Sequence, residues 1–337
     1  MQALMCHAFG PISGLRLEQA PDPVPAAGQV RVRVRACSLN FPDALIVQGL
    51  YQVKPALPFS PGAEFAGVVE ALGEGVQQVS VGDPVVAFAG HGGLAERCVV
   101  DAARLLPLPP GMDFAQGAAF LLTYGTALHA LRTIAGLRAG QTLLVLGAAG
   151  GVGLAAVEVG KALGARVLAA ASSAERLELA RHHGADAGID YATQDLRRRV
   201  LELSDGRGAD VVLDPVGGSY AESALRATAW RGSYLVVGFA AGEIPRLPLN
   251  LLLLQERRLL GVYWGEALQR DPAAHLRDVE QLVQWFAQGR LRPPITERVG
   301  LDGALGALQR MAARQLMGKV VVELGAQEVG AQEPGPG

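Results

Sequence analysis

The chain has little of what several functional classes require. Three cysteines, Cys6, Cys37 and Cys98, lie scattered through 337 residues without CxxC spacing, which argues against a disulfide framework and against a cysteine-rich zinc knot. They read as reduced thiols, buried or half-buried. An excess of one charge is also missing: 30 Lys and Arg stand against 32 Asp and Glu, leaving a net charge of -2. Such a balance offers no electrostatic footprint for nucleic acid or an anionic membrane surface, and the run Arg197 to Arg199 reads as a solvated helix face. No uninterrupted apolar run is long enough to cross a bilayer, and MQALMCHAFG lacks the basic start and long apolar stretch of a secretory leader. A soluble, cytoplasmic protein acting on small molecules is expected. With half of its residues hydrophobic, the chain can bury a large core, and its length suggests two domains.

What is present is a glycine turn. In Leu143 to Gly153, LLVLGAAGGVG, an apolar run feeds a cluster of glycines, and VGLAAVEVGKALGA then continues at helical spacing. Strand, phosphate-cradling turn and helix are expected in that order. Gly147 permits a tight turn off the strand, Gly150 lets backbone N–H groups approach a pyrophosphate, and Gly153 lets helix and strand pack closely. Together with Gly151 and Val152 at the helix start, where orphan N–H groups and the helix dipole favour an anion, they predict a dinucleotide site. The alternative is a tight turn in a sheet that binds no nucleotide.

The second strand selects the nucleotide. An NAD site carries a carboxylate roughly 20 residues past the first glycine, on the ribose hydroxyls. Here Arg166 to Ala171 ends instead in Ser172 and Ser173, followed by Arg176. Hydroxyls and a guanidinium suit a 2′-phosphate, so NADP(H) is expected over NAD(H). The competing reading is that Ser173 caps the next helix and Arg176 is solvated, and the two readings are compatible.

The rest of the chain changes texture near Thr126. Before it, Val30 to Ala36 alternates apolar and charged residues as a strand with one wet face, and further strands are expected at Glu64 to Leu72, Val85 to Phe88 and Ala95 to Val100. This part reads as a small barrel. After a helix from Thr126 to about Ala135, strands are expected at Thr142 to Leu146, Val167 to Ala171, Val211 to Asp214 and Tyr234 to Val237, with helices between. That alternation implies a doubly wound parallel sheet with ligands at the carboxyl ends of its strands, where Val211 to Gly218 and Leu235 to Ala240 end in turn-forming residues and are candidate cofactor walls. A strand from Arg258 to Trp264, helices from His275 to Gln288 and Asp302 to Ala313, and a strand from Lys319 to Leu324 follow. The segment Leu259 to Trp264 pairs either across a two-fold axis or as an inner strand. The expected division is a β-rich domain at 1–124, a nucleotide domain at 125–264, a return to the first domain at 265–325 and a disordered tail at 326–337.

The β-rich front, the LGAAGGVG turn, PGAEFAGVVEALGEGV with VGDPVVA, and the closing MGKVVVEL resemble the medium-chain dehydrogenase/reductase superfamily, and within it the zinc-free, zeta-crystallin-like quinone oxidoreductases. The resemblance spans Met1 to about Leu324. It implies a Rossmann domain joined to a GroES-like domain, and a homodimer. Zinc-dependent relatives carry a cysteine where Asn40 stands and Gly-His-Glu where this chain has Gly62, Ala63 and Glu64, and their four-cysteine loop is missing. His91 is a lone loop histidine. No metal is expected.

Asn40, Asp43 and Tyr51 match the branch's substrate-side motif. The resemblance implies that the Asn40 amide and the Tyr51 hydroxyl face the substrate, while Asp43 orients its neighbours or the nicotinamide ribose. Against this, Asn40 could cap the helix that Pro42 starts and Tyr51 could simply pack. By the same resemblance Tyr191 lies near the adenosine phosphate, Arg314 points toward the cofactor, and Thr126, Gly238 and Phe239 line the nicotinamide and its neighbouring pocket. Tyr191 and Phe239 also suit ordinary core positions. The function implied is hydride transfer from NADPH to a quinone or another electron-poor conjugated carbonyl, without zinc or flavin. An enoyl or acryloyl thioester reductase uses the same chemistry, and a nucleotide-binding regulatory protein with little turnover is the reading from a different class.

Overall fold

The computed structural model describes residues 1–325, and the tail expected to be disordered, 326–337, lies outside them. Two compact units divide the described chain: unit 1 holds Met1–Ala119, Ile295–Gln315 and 319–325, and unit 2 holds Phe120–Pro294 with Leu316–Gly318.

In chain order unit 1 opens with β1 (Gln2–Met5), β2 (Arg16–Gln19), β3 (Gln29–Ser38), α1 (Phe41–Val47), β4 (Glu64–Leu72), β5 (Pro84–Phe88), β6 (Arg97–Asp101), β7 (Leu105–Pro107) and α2 (Phe114–Ala118). Unit 2 contains α3 (Leu121–Leu128), β8 (Thr142–Leu146), α4 (Gly151–Ala162), β9 (Arg166–Ala171), α5 (Ala174–His182), β10 (Ala187–Asp190), α6 (Leu196–Leu203), β11 (Ala209–Asp214), α7 (Tyr220–Arg226), β12 (Thr228–Val236), α8 (Asn250–Leu253), β13 (Arg258–Gly261), α9 (Trp264–Arg270) and α10 (Pro272–Ala287). The last elements, β14 (Ile295–Gly300), α11 (Ala304–Ala312) and β15 (Lys319–Glu323), return to unit 1.

Unit 1 is built on a seven-stranded sheet in the order β14-β15-β3-β4-β5-β7, with β6 also paired to β3. Strand β3 organises it. Its valines Val30, Val32 and Val34 are at most 1% exposed, while the intervening Arg33 is exposed, as a period of two requires. From Ala36 to Ser38 the alternation stops and every residue is buried, which is where β15 joins. Among the described residues no ladder joins the β7 and β14 edges.

Unit 2 is a six-stranded sheet in the order β10-β9-β8-β11-β12-β13, every neighbouring pair parallel. Counted within the unit, that is strand order 3-2-1-4-5-6, the doubly wound arrangement. All five residues of β8 are buried, as expected for a central strand with helices over both faces. Leu144, Leu168, Ile189, Val212, Leu225 and Tyr234 meet in the core on one side of it.

Three expectations need correction. The return to unit 1 begins at Ile295 rather than 265, because α10 buries Leu282 and Trp285 in unit 2, pairs Asp278 with Arg132, and leads to Arg292, whose N–H bonds Glu158 at 2.8 Å. Strand β13 stops at Gly261, since Trp264 turns inward against Gly125 and opens a helix. The helix expected from Thr126 starts earlier, at Leu121, and continues past Leu128 as a π-helical turn, His129–Ile134. Among the described residues no helix is long and apolar enough to cross a membrane.

Candidate functional site

In unit 2 the glycine turn follows β8 directly and α4 starts at Gly151. Gly147 has φ +57°, the left-handed region that a side chain disfavours, and a Cβ there would come within 2.8 Å of Val216. At Gly153 a Cβ would lie 2.3 Å from the Gly147 carbonyl, so only hydrogen lets the helix come this close to the turn. A Cβ at Gly150 would meet only that same carbonyl, at 3.4 Å, which leaves the mouth of the turn open. The first amides of α4, at Gly151, Val152 and Gly153, fall where a helix lacks internal acceptors, and they suit an anion. A strand-like return braces the turn from outside: the Gly318 N–H donates to the Ala149 carbonyl at 2.8 Å, and Gly318 bridges Gly150.

The carboxyl end of β9 carries the expected polar group. Ser173 caps α5, its Oγ accepting the Arg176 N–H at 3.3 Å, so the capping reading holds for its side chain. Ser172 is exposed. The Arg176 guanidinium is held rather than solvated, donating to the Leu316 carbonyl at 3.1 Å. Tyr191, after β10, is half-buried, with its ring centroid 4.2 Å from that of Tyr220. Burial is the main reason its hydroxyl holds its proton more tightly than usual, and Arg176 is close enough to oppose that effect.

The wall beyond β11 is organised by Asp214. Its Oδ1 accepts the N–H groups of Val216 and Gly217 at 2.7 and 2.8 Å, its Oδ2 accepts the Tyr234 hydroxyl, and burial raises its pKa. Val216 thereby lies against Gly147, and Phe239, 36% exposed after β12, leans over Gly217. Gly238 precedes it, its N–H reaching the Asp214 carbonyl at 3.4 Å. Thr126 is half-buried on α3, which packs against α4.

In unit 1, Asn40 and Asp43 come together at the start of α1. Asp43 is fully buried and works as a clamp: Oδ2 accepts the Asn40 N–H at 2.7 Å and Oδ1 the Ala63 N–H at 2.8 Å. Burial lifts its pKa to about 6 against those hydrogen bonds and the nearby Lys319 charge. Asn40, 5% exposed, is the N-cap of α1 and forms a capping box with Asp43, so the capping reading holds alongside its other contacts. Its Oδ1 accepts from Lys319 Nζ at 2.5 Å, and its Nδ2 lies 3.2 Å from the Ser38 carbonyl, 3.3 Å from Ser38 Oγ and 3.4 Å from Glu64 Oε2. Lys319 Nζ also donates to the Leu39 carbonyl at 3.0 Å and stands 3.8 Å from Glu64 Oε2, which accepts the Ser38 hydroxyl at 2.9 Å. Tyr51 is half-buried in the loop beyond α1, and Arg314 is exposed just past α11 at φ +60°.

Lys319, Ser38 and Gly318 join the candidate site without any motif that names them, while Glu64 enters the sequence reading only against a zinc ligand set and Asp214 only as part of a cofactor wall. A signal for two of them was present. Lys319 opens the apolar run VVVEL and Glu64 opens EFAGVV, and a charge inside a buried strand requires a partner. Among the described residues no three His, Cys, Asp or Glu side chains are grouped to hold a metal ion.

Comparison with known proteins places this geometry. Residues 26–110 match the alcohol dehydrogenase GroES-like domain and residues 151–288 the zinc-binding dehydrogenase family. A quinone oxidoreductase-like protein 2 homolog from Nematostella vectensis is 39% identical over 95% of this chain and 88% of its own length. The quinone oxidoreductase of Escherichia coli, solved in complex with NADPH, superposes with a TM-score of 0.89 at 26% identity, covering 96% of this chain and all of that one. A mycobacterial protein, also solved with NADPH, gives a TM-score of 0.90 at 30% identity over 96% of this chain and 100% of its own.

Proposed function

The chain belongs to the quinone oxidoreductase branch of the medium-chain dehydrogenase/reductase superfamily, and from that premise we propose that it reduces a quinone or another electron-poor conjugated carbonyl with NADPH, using neither zinc nor flavin. The observation that carries the cofactor choice is the end of β9: no carboxylate stands there, while Ser173 and a guanidinium held in place by Leu316 do. Ser172, Ser173, Arg176 and Tyr191 take the 2′-phosphate side. Gly147, Gly150, Gly151, Val152 and Gly153 take the pyrophosphate, and Thr126, Gly238 and Phe239 take the nicotinamide end. Arg314 is assigned to the cofactor by resemblance. NADPH supplies the hydride, and with one solvent proton the quinone leaves as hydroquinone.

The protein's own part is orientation and charge. Asn40 Nδ2 and the Tyr51 hydroxyl are the proposed donors to the substrate oxygen, where negative charge grows during reduction. Asp43 keeps Asn40 and Ala63 in register through its two backbone acceptances. The metal-free reading is supported by the chemistry of the donor set. Where a zinc ion would need thiolate and imidazole, this chain offers an amide, a serine hydroxyl and one carboxylate, with a resident ammonium 3.8 Å from that carboxylate. The proposed assembly is a homodimer; β13 ends the sheet of unit 2 and carries Leu259, 37% exposed.

The deciding assay mixes the pure protein with NADPH or NADH and a panel of quinones, enones and enoyl thioesters, following absorbance of the reduced cofactor. Oxidation of NADPH with quinones, and a preference over NADH of about tenfold or more, is the expected result. Faster turnover of enoyl thioesters reassigns the substrate, and NADPH binding without oxidation across the panel replaces the enzyme by a regulatory protein.

A further inference from the structure

We propose that Lys319 is a positioning residue for the substrate side: it grips the Asn40 carboxamide by its oxygen, while the Nδ2 end, held by longer contacts, is the one drawn to a substrate carbonyl. The proposal rests on the reading of Asn40 as a substrate contact. Its basis is an asymmetry in how the amide is held. The oxygen end has one short bond, 2.5 Å from Lys319 Nζ, whereas the nitrogen end shares three acceptors at 3.2, 3.3 and 3.4 Å. A short bond from a charged donor is strong, and long contacts are the ones a better-placed oxygen displaces.

The ammonium in turn cannot drift. Lys319 is 2% exposed on β15, and the Leu39 carbonyl at 3.0 Å and Glu64 at 3.8 Å fix it from two other directions. Glu64 is held by the Ser38 hydroxyl. The ammonium on its oxygen and the acceptor-only Ser38 carbonyl and Glu64 carboxylate beside its nitrogen give the amide one orientation, and loss of the ammonium removes the short, charged part of that grip; a turned amide would present its oxygen, which repels a developing oxyanion. Lys319 touches no substrate in this scheme and acts only through Asn40.

The test is a double-mutant cycle read as kcat/KM with 1,4-naphthoquinone, alongside the Kd for NADPH. Because Lys319→Met alone removes the ammonium beside the Glu64 carboxylate, the pair Lys319→Met with Glu64→Gln is used, and Lys319→Gln, made in the same Glu64→Gln background, is the second variant because it restores a neutral donor to Asn40. We expect the pair to lower kcat/KM about 30-fold, chiefly through kcat, with NADPH Kd within about twofold. Adding Asn40→Ala to the pair is then expected to cost less than about twofold more, the mark of residues acting as one unit. Lys319→Gln is expected to recover at least about fivefold over the pair. Losses that multiply independently, no rescue by Lys319→Gln, or a pair whose kcat/KM stays within about threefold while Asn40→Ala is impaired would each overturn the proposal. If Asn40→Ala alone keeps full activity, the substrate reading of Asn40 fails instead, and that result is separable because it appears in the single variant.

Discussion

In unit 2 the turn from Gly147 to Gly153 works through backbone atoms of one short stretch, whereas in unit 1 Lys319 and Asn40 meet across 279 positions of chain. The first is a matter of which residues lack a side chain, and the second of which side chains find each other. Each plan has its own weakness. The turn is vulnerable to added atoms, and the cluster to lost charge.

The largest effect is expected in the cluster. Lys319→Met removes the ammonium 3.8 Å from the buried Glu64 carboxylate, and loss of one partner of a buried pair costs about 3–5 kcal/mol of folding stability. Urea unfolding measures it, and adding Glu64→Gln should return most of the loss. A Lys319→Met protein as stable as the wild type would show that the cluster is not held by its charge pair.

The turn should respond to bulk instead. Gly153→Ala places a methyl 2.3 Å from the Gly147 carbonyl, and the overpacking should cost about 1–3 kcal/mol and weaken NADPH and NADH alike. Thermal unfolding and cofactor titration test this, and unchanged binding of both cofactors would remove the turn from the site.

Arg176→Gln sharpens the comparison within unit 2, because it alters one charged donor and leaves the turn intact. NADPH affinity should fall about tenfold, or 1.4 kcal/mol, with NADH affinity unchanged. Equal loss for both cofactors would mean that the guanidinium acts through Leu316 rather than on the phosphate.

A pH dependence is expected in unit 1. Asp43 has its pKa raised from 3.8 to about 6, mainly by burial, so the native state binds this proton more readily than the unfolded chain does. Its contribution therefore makes the protein less stable as pH rises through that window. Asp43→Asn should flatten the slope of unfolding free energy against pH between these values. An unchanged slope assigns it to other groups.

Strands with a clean pattern were readable to within a residue or so: β4 and β8 fall at Glu64–Leu72 and Thr142–Leu146, as their apolar runs predict. The short strands β10 and β14 were not anticipated. Ala187–Asp190 is too brief and small-residued to show a period, and Ile295–Gly300 places polar Thr296, Glu297 and Arg298 in a row beside β15, a pairing that no local feature announces. The return point at Ile295 was hidden for a similar reason. An amphipathic helix such as α10 shows that it has a buried face but not which unit covers it.

From the residues alone came the doubly wound sheet, the glycine turn after β8 and the absence of a carboxylate after β9, because each depends on local sterics or on one side chain at a known offset. Only the folded chain decided that Asn40 is gripped by Lys319, that Asp43 clamps two backbone N–H groups, and that Arg176 is anchored by Leu316. Those pairings join distant stretches, and burial made them obligatory: a charge or amide taken out of water must find its partner wherever the fold supplies one.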